Sequence, residues 1–237
     1  MRIFIYSFLT AFLLVFNMCA EPVGQEAAAK AAAARLPQFY PGEWHPAGDY
    51  PLYDLAGNIA AYTFMFERAD QAGQKQGRRE TPSEFVAARR SALGEATDKS
   101  VGNHPELYGA ERFATIVISA DDTEPPLIRC FLGLPPQLVK ERDAESLASS
   151  QRGQGRWRVS RRLMLGMFDE AFECEDKTGW EAPLVVEMRT GKSLPLAEAT
   201  ERVRAKRKKS VADPERERLC REAWAPFRSA NRKGVQP

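Results

Sequence analysis

The stretch FATIVISADDTEPPLIRCFLG, Phe113 to Gly133, restricts the fold more than any other part of the chain. Its first run carries no charge and is rich in β-branched side chains, which pack well on a pleated surface and lose rotamer freedom in a helix. The run stops at Asp121-Asp122, passes through Pro125-Pro126 and resumes as LIRCFL. Asp starts turns by bonding its own backbone, and Pro fixes φ. The segment therefore reads as two buried strands, Phe113 to Ala120 and Leu127 to Leu132, joined by a short connection.

A second strand pair lies upstream. PLYDLAGNIAAYTFMFE, residues 51–67, reads as a hairpin that turns at Ala56-Gly57-Asn58. Strand periodicity puts Tyr62, Phe64 and Phe66 on one face and Ala61, Thr63 and Met65 on the other, as in a central strand. RWRVSRRLMLGMFDEAFECED, residues 156–176, predicts one or two strands with a break near Gly166, APLVVEM adds another, and TGKS turns the chain. Within the first of these, alternation places Arg156, Arg158 and Arg162 on one face and Trp157, Val159 and Arg161 on the other, the pattern of an exposed sheet face or edge guarded by positive charge.

Helical signals fall between and after these strands. TPSEFVAARRSALGEA begins with Thr81-x-x-Glu84, a capping box, and has Pro82 at the first helical position. PPQLVKERDAESLASS has proline at a helix start, and Asp213-Pro214 opens a helix expected to run to Pro226. QEAAAKAAAARL, residues 25–36, has high helix propensity but only alanine methyls and Leu36 to bury, so it reads as a spacer or a surface helix. Strands and helices do not alternate regularly. The fold class is α+β, an antiparallel sheet flanked by helices with a helical C-terminal extension.

The ends set the compartment. Arg2 precedes IFIYSFLTAFLLVF, an uncharged run of 14 residues, too short to span a membrane comfortably and suited to a secretory signal. The organisation that follows is a signal peptide over 1–20, an Ala-rich helical spacer and Pro-rich linker over 21–49, an α+β domain over 50–192 and a basic extension over 193–237. Cys19 offers lipidation as the alternative to soluble export, and the protein is expected to be secreted or periplasmic. Net charge is +2, but residues 201–237 hold twelve Lys/Arg against five Asp/Glu. Arg202, Arg204, Lys206, Arg207, Lys208 and Lys209 form the densest cluster. Outside the cytoplasm such a cluster meets an anionic envelope surface rather than nucleic acid, or it is a solvated helix face paired with Glu198 and Glu201. In an oxidising compartment Cys130 and Cys174, both in strand-like surroundings, are the candidate disulfide pair; the alternative is no bridge.

Nothing in the sequence announces a reaction. The acidic pair could serve a metal or acid/base chemistry, but no further spaced carboxylates accompany it, and the turn reading is the simpler one. His45 and His104 both sit beside proline without ligand spacing, and glycine-rich phosphate loops, nucleophile elbows and H-E-x-x-H are missing. No catalytic residue, cofactor or metal is therefore assigned.

A likeness adds to this. Phe113, Ile116, Val117, Ile118, Ser119, Ala120 and Asp121, followed by Pro126, Leu127, Ile128 and Gly133, resemble the strand signatures of the propeptide and inhibitor domains of streptopain-like cysteine peptidases. The likeness covers about residues 50–135, with Arg112 standing where that pattern has glycine. It implies an antiparallel sheet with helices and an occlusive, non-catalytic role toward a peptidase or other protein partner. The function expected is an exported protein-binding or inhibitor-like module; the alternative is an envelope-associated structural protein attached through its basic C-terminal helices.

Overall fold

The computed structural model describes residues 22–71, 74–75, 78–92, 105–152, 157–166, 169–207 and 213–228. The expected signal segment with Cys19, and also His104 and Arg156, lie outside the described residues.

Strands β1 (Trp44–Tyr53) and β2 (Ile59–Arg68) form the expected hairpin, closed by Asp54, whose Oδ1 accepts from the backbone N–H groups of Ala56 and Asn58 at 2.8 and 2.9 Å. Two-residue strands β3 (Gln74–Lys75) and β4 (Arg78–Arg79) pair separately. Strand β2 then pairs with β5 (Phe113–Ser119), and β5 with β6 (Leu127–Leu132), to complete one antiparallel meander. A second meander follows: β7 (Trp157–Met164), β8 (Glu170–Asp176), β9 (Leu184–Glu187) and β10 (Ser193–Pro195). The meanders meet through β1 and β7, which run parallel and share the single register pair Tyr53↔Leu163. The result is one eight-stranded sheet of order β10-β9-β8-β7-β1-β2-β5-β6. The α+β class and the largely antiparallel sheet agree with the sequence.

Six helices among the described residues cover both faces of the sheet. They are α1 (Gln25–Phe39), α2 (Pro82–Ala92), α3 (Pro136–Val139), α4 (Glu141–Arg152), α5 (Leu196–Arg207) and α6 (Pro214–Arg228). The capping box at the start of α2 is formed: Glu84 Oε2 accepts from the Thr81 N–H at 2.9 Å, and the Glu84 N–H donates back to Thr81 Oγ1 at 3.3 Å. Asp213 caps α6 through bonds from the Glu215 and Arg216 N–H groups. Two expected breaks do not end their helices. Pro37 and Pro226 lie inside the last turns of α1 and α6, so each costs its helix one N–H donor close to the end rather than in the middle.

On the outer face, Tyr62, Phe64 and Phe66 of β2 and Ala114, Ile116 and Ile118 of β5 pack against Ala28, Ala31, Ala32 and Leu36 of α1 and against Trp224 of α6. The alanine repeat at i, i+3 and i+4 lets α1 approach the sheet closely, so the aromatic residues beneath it fill the interface. Farther along this face Leu163, Ala171 and Val185 meet Ala199 of α5. On the inner face Phe113, Val117 and Met65 meet Phe85 of α2 and Val139 of α3, while Phe172 and Cys174 meet Ala144 and Ala148 of α4.

Arg129 of β6 reaches Glu170 of β8 although four strands separate them in the sheet. A flat sheet would set these strands about 24 Å apart at the usual strand spacing. The sheet is therefore curled, with the inner face concave around α3 and α4.

The expected alternation along β7 is broken. A register shift between Val159 and Arg161 puts Trp157, Val159 and Arg162 on the inner face and Arg158 and Arg161 on the outer one. β7 is not an edge either, since it lies between β8 and β1.

Candidate functional site

The connection between β5 and β6 shows what the acidic pair does. Asp121 Oδ1 accepts from the Thr123 N–H at 2.8 Å and the Thr123 hydroxyl at 2.7 Å, closing its own turn. Asp122 points the other way, is 2 % exposed and pairs with Arg228 of α6 at 3.0 Å, with Arg221 Nε at 3.8 Å. Glu124 receives Arg216 at 2.6 Å, and its carbonyl accepts the Trp224 indole N–H at 3.1 Å. Chain entry adds the bond from the Val23 N–H to the Ala120 carbonyl at 2.9 Å. The two carboxylates are thus divided between a turn and an anchor for the C-terminal helix.

The turn delivers β6 to the end of the sheet. The Gly133 N–H donates to the Phe113 carbonyl, and the Ser119 N–H to the Pro126 carbonyl. Antiparallel pairing alternates, so Arg129 and Phe131 bond to β5 while the peptide groups of Cys130 and Leu132 point away from it. Among the described residues no strand pairs with that outer side. The opposite edge, β10, is three residues long and ends in Pro195, features that blunt an edge. β6 is longer and half-buried, carries no proline and exposes Leu132 at 45 %.

Cys130 and Cys174 do not form the expected bridge. Both are free thiols: Cys130 packs on the outer face, Cys174 on the inner face, and four strands lie between theirs. A disulfide needs Cα atoms within about 7 Å. Burial pushes the Cys130 thiol up to about 11 and the Cys174 thiol up to about 12, so both behave as small apolar side chains at neutral pH.

The basic positions lie apart from this edge. Arg202 pairs with Glu198 at 2.8 Å and Arg204 with Glu201 at 2.6 Å, all on the exposed side of α5. Lys206 and Arg207 fall in its last turn with side chains outside the description, and Lys208 and Lys209 lie outside the described residues. His45 sits 3.6 Å from Glu43, half-exposed. Among the described residues no group of three His, Cys, Asp or Glu side chains converges as a metal site.

Sequence reasoning missed the polar seam inside the curl. The Tyr50 hydroxyl of β1 donates to Gln137 Oε1 of α3 at 3.3 Å, and the Arg162 guanidinium of β7 lies 4.6 Å from the Tyr50 ring centre. Arg162 also holds Glu141 of α4 at 2.5 Å, and Arg129 holds Glu170. Burial raises the Tyr50 phenol above its usual range. In the first meander, Arg112 engages Glu67 at 2.5 Å and Glu80 at 2.8 Å and stacks over Phe85 and Phe113. β1 and β7 share one register pair, so the Tyr50–Arg162 and Arg129–Glu170 contacts tie the two meanders together where backbone pairing does little, whereas the Arg112 group braces the first meander alone. Arginine and glutamate far apart in sequence carry no local signal of such pairing. Comparisons with protein-family models, curated proteins and solved structures give no match.

Proposed function

We propose that this is an exported, non-catalytic protein-binding module of the inhibitor kind, which engages its partner through the β6 edge. The observation that carries this reading is a long, apolar, outward-bonding edge strand opposite a short one that ends in proline. Such an edge can accept an extended partner segment as an added strand: main-chain bonds supply affinity, and flanking side chains such as Leu132 supply selectivity. The occupied carboxylates and high thiol pKa values beside it fit a binding surface better than a reactive centre. The likeness of residues 50–135 to peptidase propeptide and inhibitor domains points to a cysteine peptidase as the partner class.

The experiment uses immobilised protein against the exported fraction of its source organism and against a streptopain-like peptidase. Leu132→Pro removes an outward N–H and leaves the ladder to β5 in place, while Leu132→Ala keeps that N–H. Capture lost with proline and largely retained with alanine is the expected result. Equal capture by both variants, or no capture at any salt concentration, overturns the reading.

A further inference from the structure

Trp180 stands 88 % exposed in the connection between β8 and β9, whereas Trp157 and Trp224 are buried and Trp44 is half-buried. Tryptophan is highly buried on average, so an indole with both ring faces open to water calls for a reason. The loop that carries it is firmly built. The buried Asp176 carboxylate accepts from the Thr178 and Trp180 N–H groups, each at 3.1 Å, from the Glu181 N–H at 3.3 Å and from the Thr178 hydroxyl. Gly179 makes the turn at φ +73°, a conformation glycine adopts without a Cβ penalty. These bonds to one carboxylate fix the Trp180 backbone before anything binds, which lowers the ordering cost of using its side chain.

The flanks of the ring select the ligand. Lys177 and Glu181 stand on either side of Trp180 in the chain, and neither side chain has an ion pair or hydrogen bond among the described residues. Their charges cancel, leaving one donor and one acceptor free beside the indole. The other exposed large apolar side chains among the described residues, Phe39, Ile59, Leu132 and Leu219, all lie outside the second meander. An anchor at the centre of a protein interface or a bilayer-inserting loop has apolar neighbours, and Glu181 opposes an anionic headgroup surface. A pyranose ring matches what is present. Its axial C–H bonds form an apolar face that is positive toward the negative face of the indole, and its hydroxyls both donate and accept.

We propose that the Trp180 loop binds a neutral glycan, with one pyranose ring of a β-1,4-linked chain stacked on the indole and its hydroxyls bonded to Lys177 and Glu181. Equatorial linkage keeps the chain extended and its C–H faces uncovered, whereas an axial linkage bends it. The site is separate from the β6 edge and does not depend on the partner reading.

Titration of the intact protein with cellotetraose and chitotetraose, with maltotetraose as the axially linked control, tests the idea by calorimetry and by iodide quenching of tryptophan fluorescence. Trp180 is the most exposed indole of the chain, so protection from iodide reads this ring. Binding of a β-1,4 tetrasaccharide with a Kd of about 1 mM is expected, from the usual yield per ligand atom over one sugar ring. Trp180→Ala, an exposed change that leaves the Asp176 bonds in place, should weaken it by about tenfold, the worth of one aromatic contact. Trp180→Phe should fall between the two, with circular dichroism confirming the fold of both variants. If Trp180→Ala does not fold, the linkage comparison and Trp180→Phe decide. Absence of binding by both β-1,4 tetrasaccharides, equal binding by wild type and Trp180→Ala, or equal binding of maltotetraose overturns the proposal. So does sedimentation with phosphatidylglycerol vesicles in the absence of sugar binding, which would assign Trp180 to a membrane surface instead.

Discussion

Replacing Trp224 with alanine asks whether the C-terminal helix belongs to the cooperative core. Trp224 is fully buried, packs edge-on against Phe227 at 6.2 Å, and donates its indole N–H to the Glu124 carbonyl at 3.1 Å. Truncating a buried tryptophan costs about 3–5 kcal/mol, and the lost hydrogen bond lies within that range. The loss has a ceiling, because α6 can leave the surface as a unit once its docking energy is exceeded. That docking also includes the pairs from Arg228 to Asp122 and Arg216 to Glu124, of which only the first reaches a buried carboxylate. With a urea m-value of about 2–3 kcal/mol/M, the midpoint should fall by about 1–2 M in unfolding followed by far-ultraviolet circular dichroism. Trp224→Phe, which keeps most of the ring, should lose about 1–2 kcal/mol. A midpoint shift worth less than about 1 kcal/mol for Trp224→Ala would show that the helix is an appendage and that the packing argument is wrong.

Gly109 has φ +54°, and a Cβ there would lie 2.9 Å from the Phe85 ring and 3.0 Å from that of Phe113, so Gly109→Ala should cost roughly 1–3 kcal/mol, read as a lowered melting temperature. Cys130 and Cys174 titrate higher in the folded than in the unfolded chain. Their stabilising contribution is present below about pH 9 and should be lost as pH rises through about 11 and 12, seen as weakening urea resistance across that window. Thiol titration without reductant should find Cys130 and Cys174 free, and slow to react until urea is added; a stable bridge between them would contradict the topology. Changing Arg202 and Arg204 together to glutamine should alter stability by no more than about 1 kcal/mol, because exposed pairs contribute little.

Local signals and tertiary ones separated cleanly along the chain. The Thr81/Glu84 box, the Asp213 cap and the turn at Asp121 were legible because each is settled within a few residues by side chains bonding the nearest backbone. β1 begins earlier than its sequence suggests because Pro46, in the Pro-rich stretch assigned to the linker, looks like a strand breaker. Its flank toward β7 carries almost no ladder, so a missing N–H there loses little. The β7 faces were misread because one extra residue in the ladder reverses every side chain beyond it, and periodicity alone does not reveal the shift.

The candidate surfaces divide in the same way. That β5 and β6 are strands was written in their residues; that β6 ends the sheet followed only from the order in which strands assemble. Arg129, Arg162 and Tyr50 carry no pattern that announces a shared interior, and curling of the sheet alone brings them together. The sequence by itself determined element type, the turns and caps, and the α+β class, since those depend on neighbours within one turn or one strand. Which edge stays open and which cysteines remain apart were decided by long-range packing, because contacts between distant residues depend on topology and curvature that no local stretch encodes.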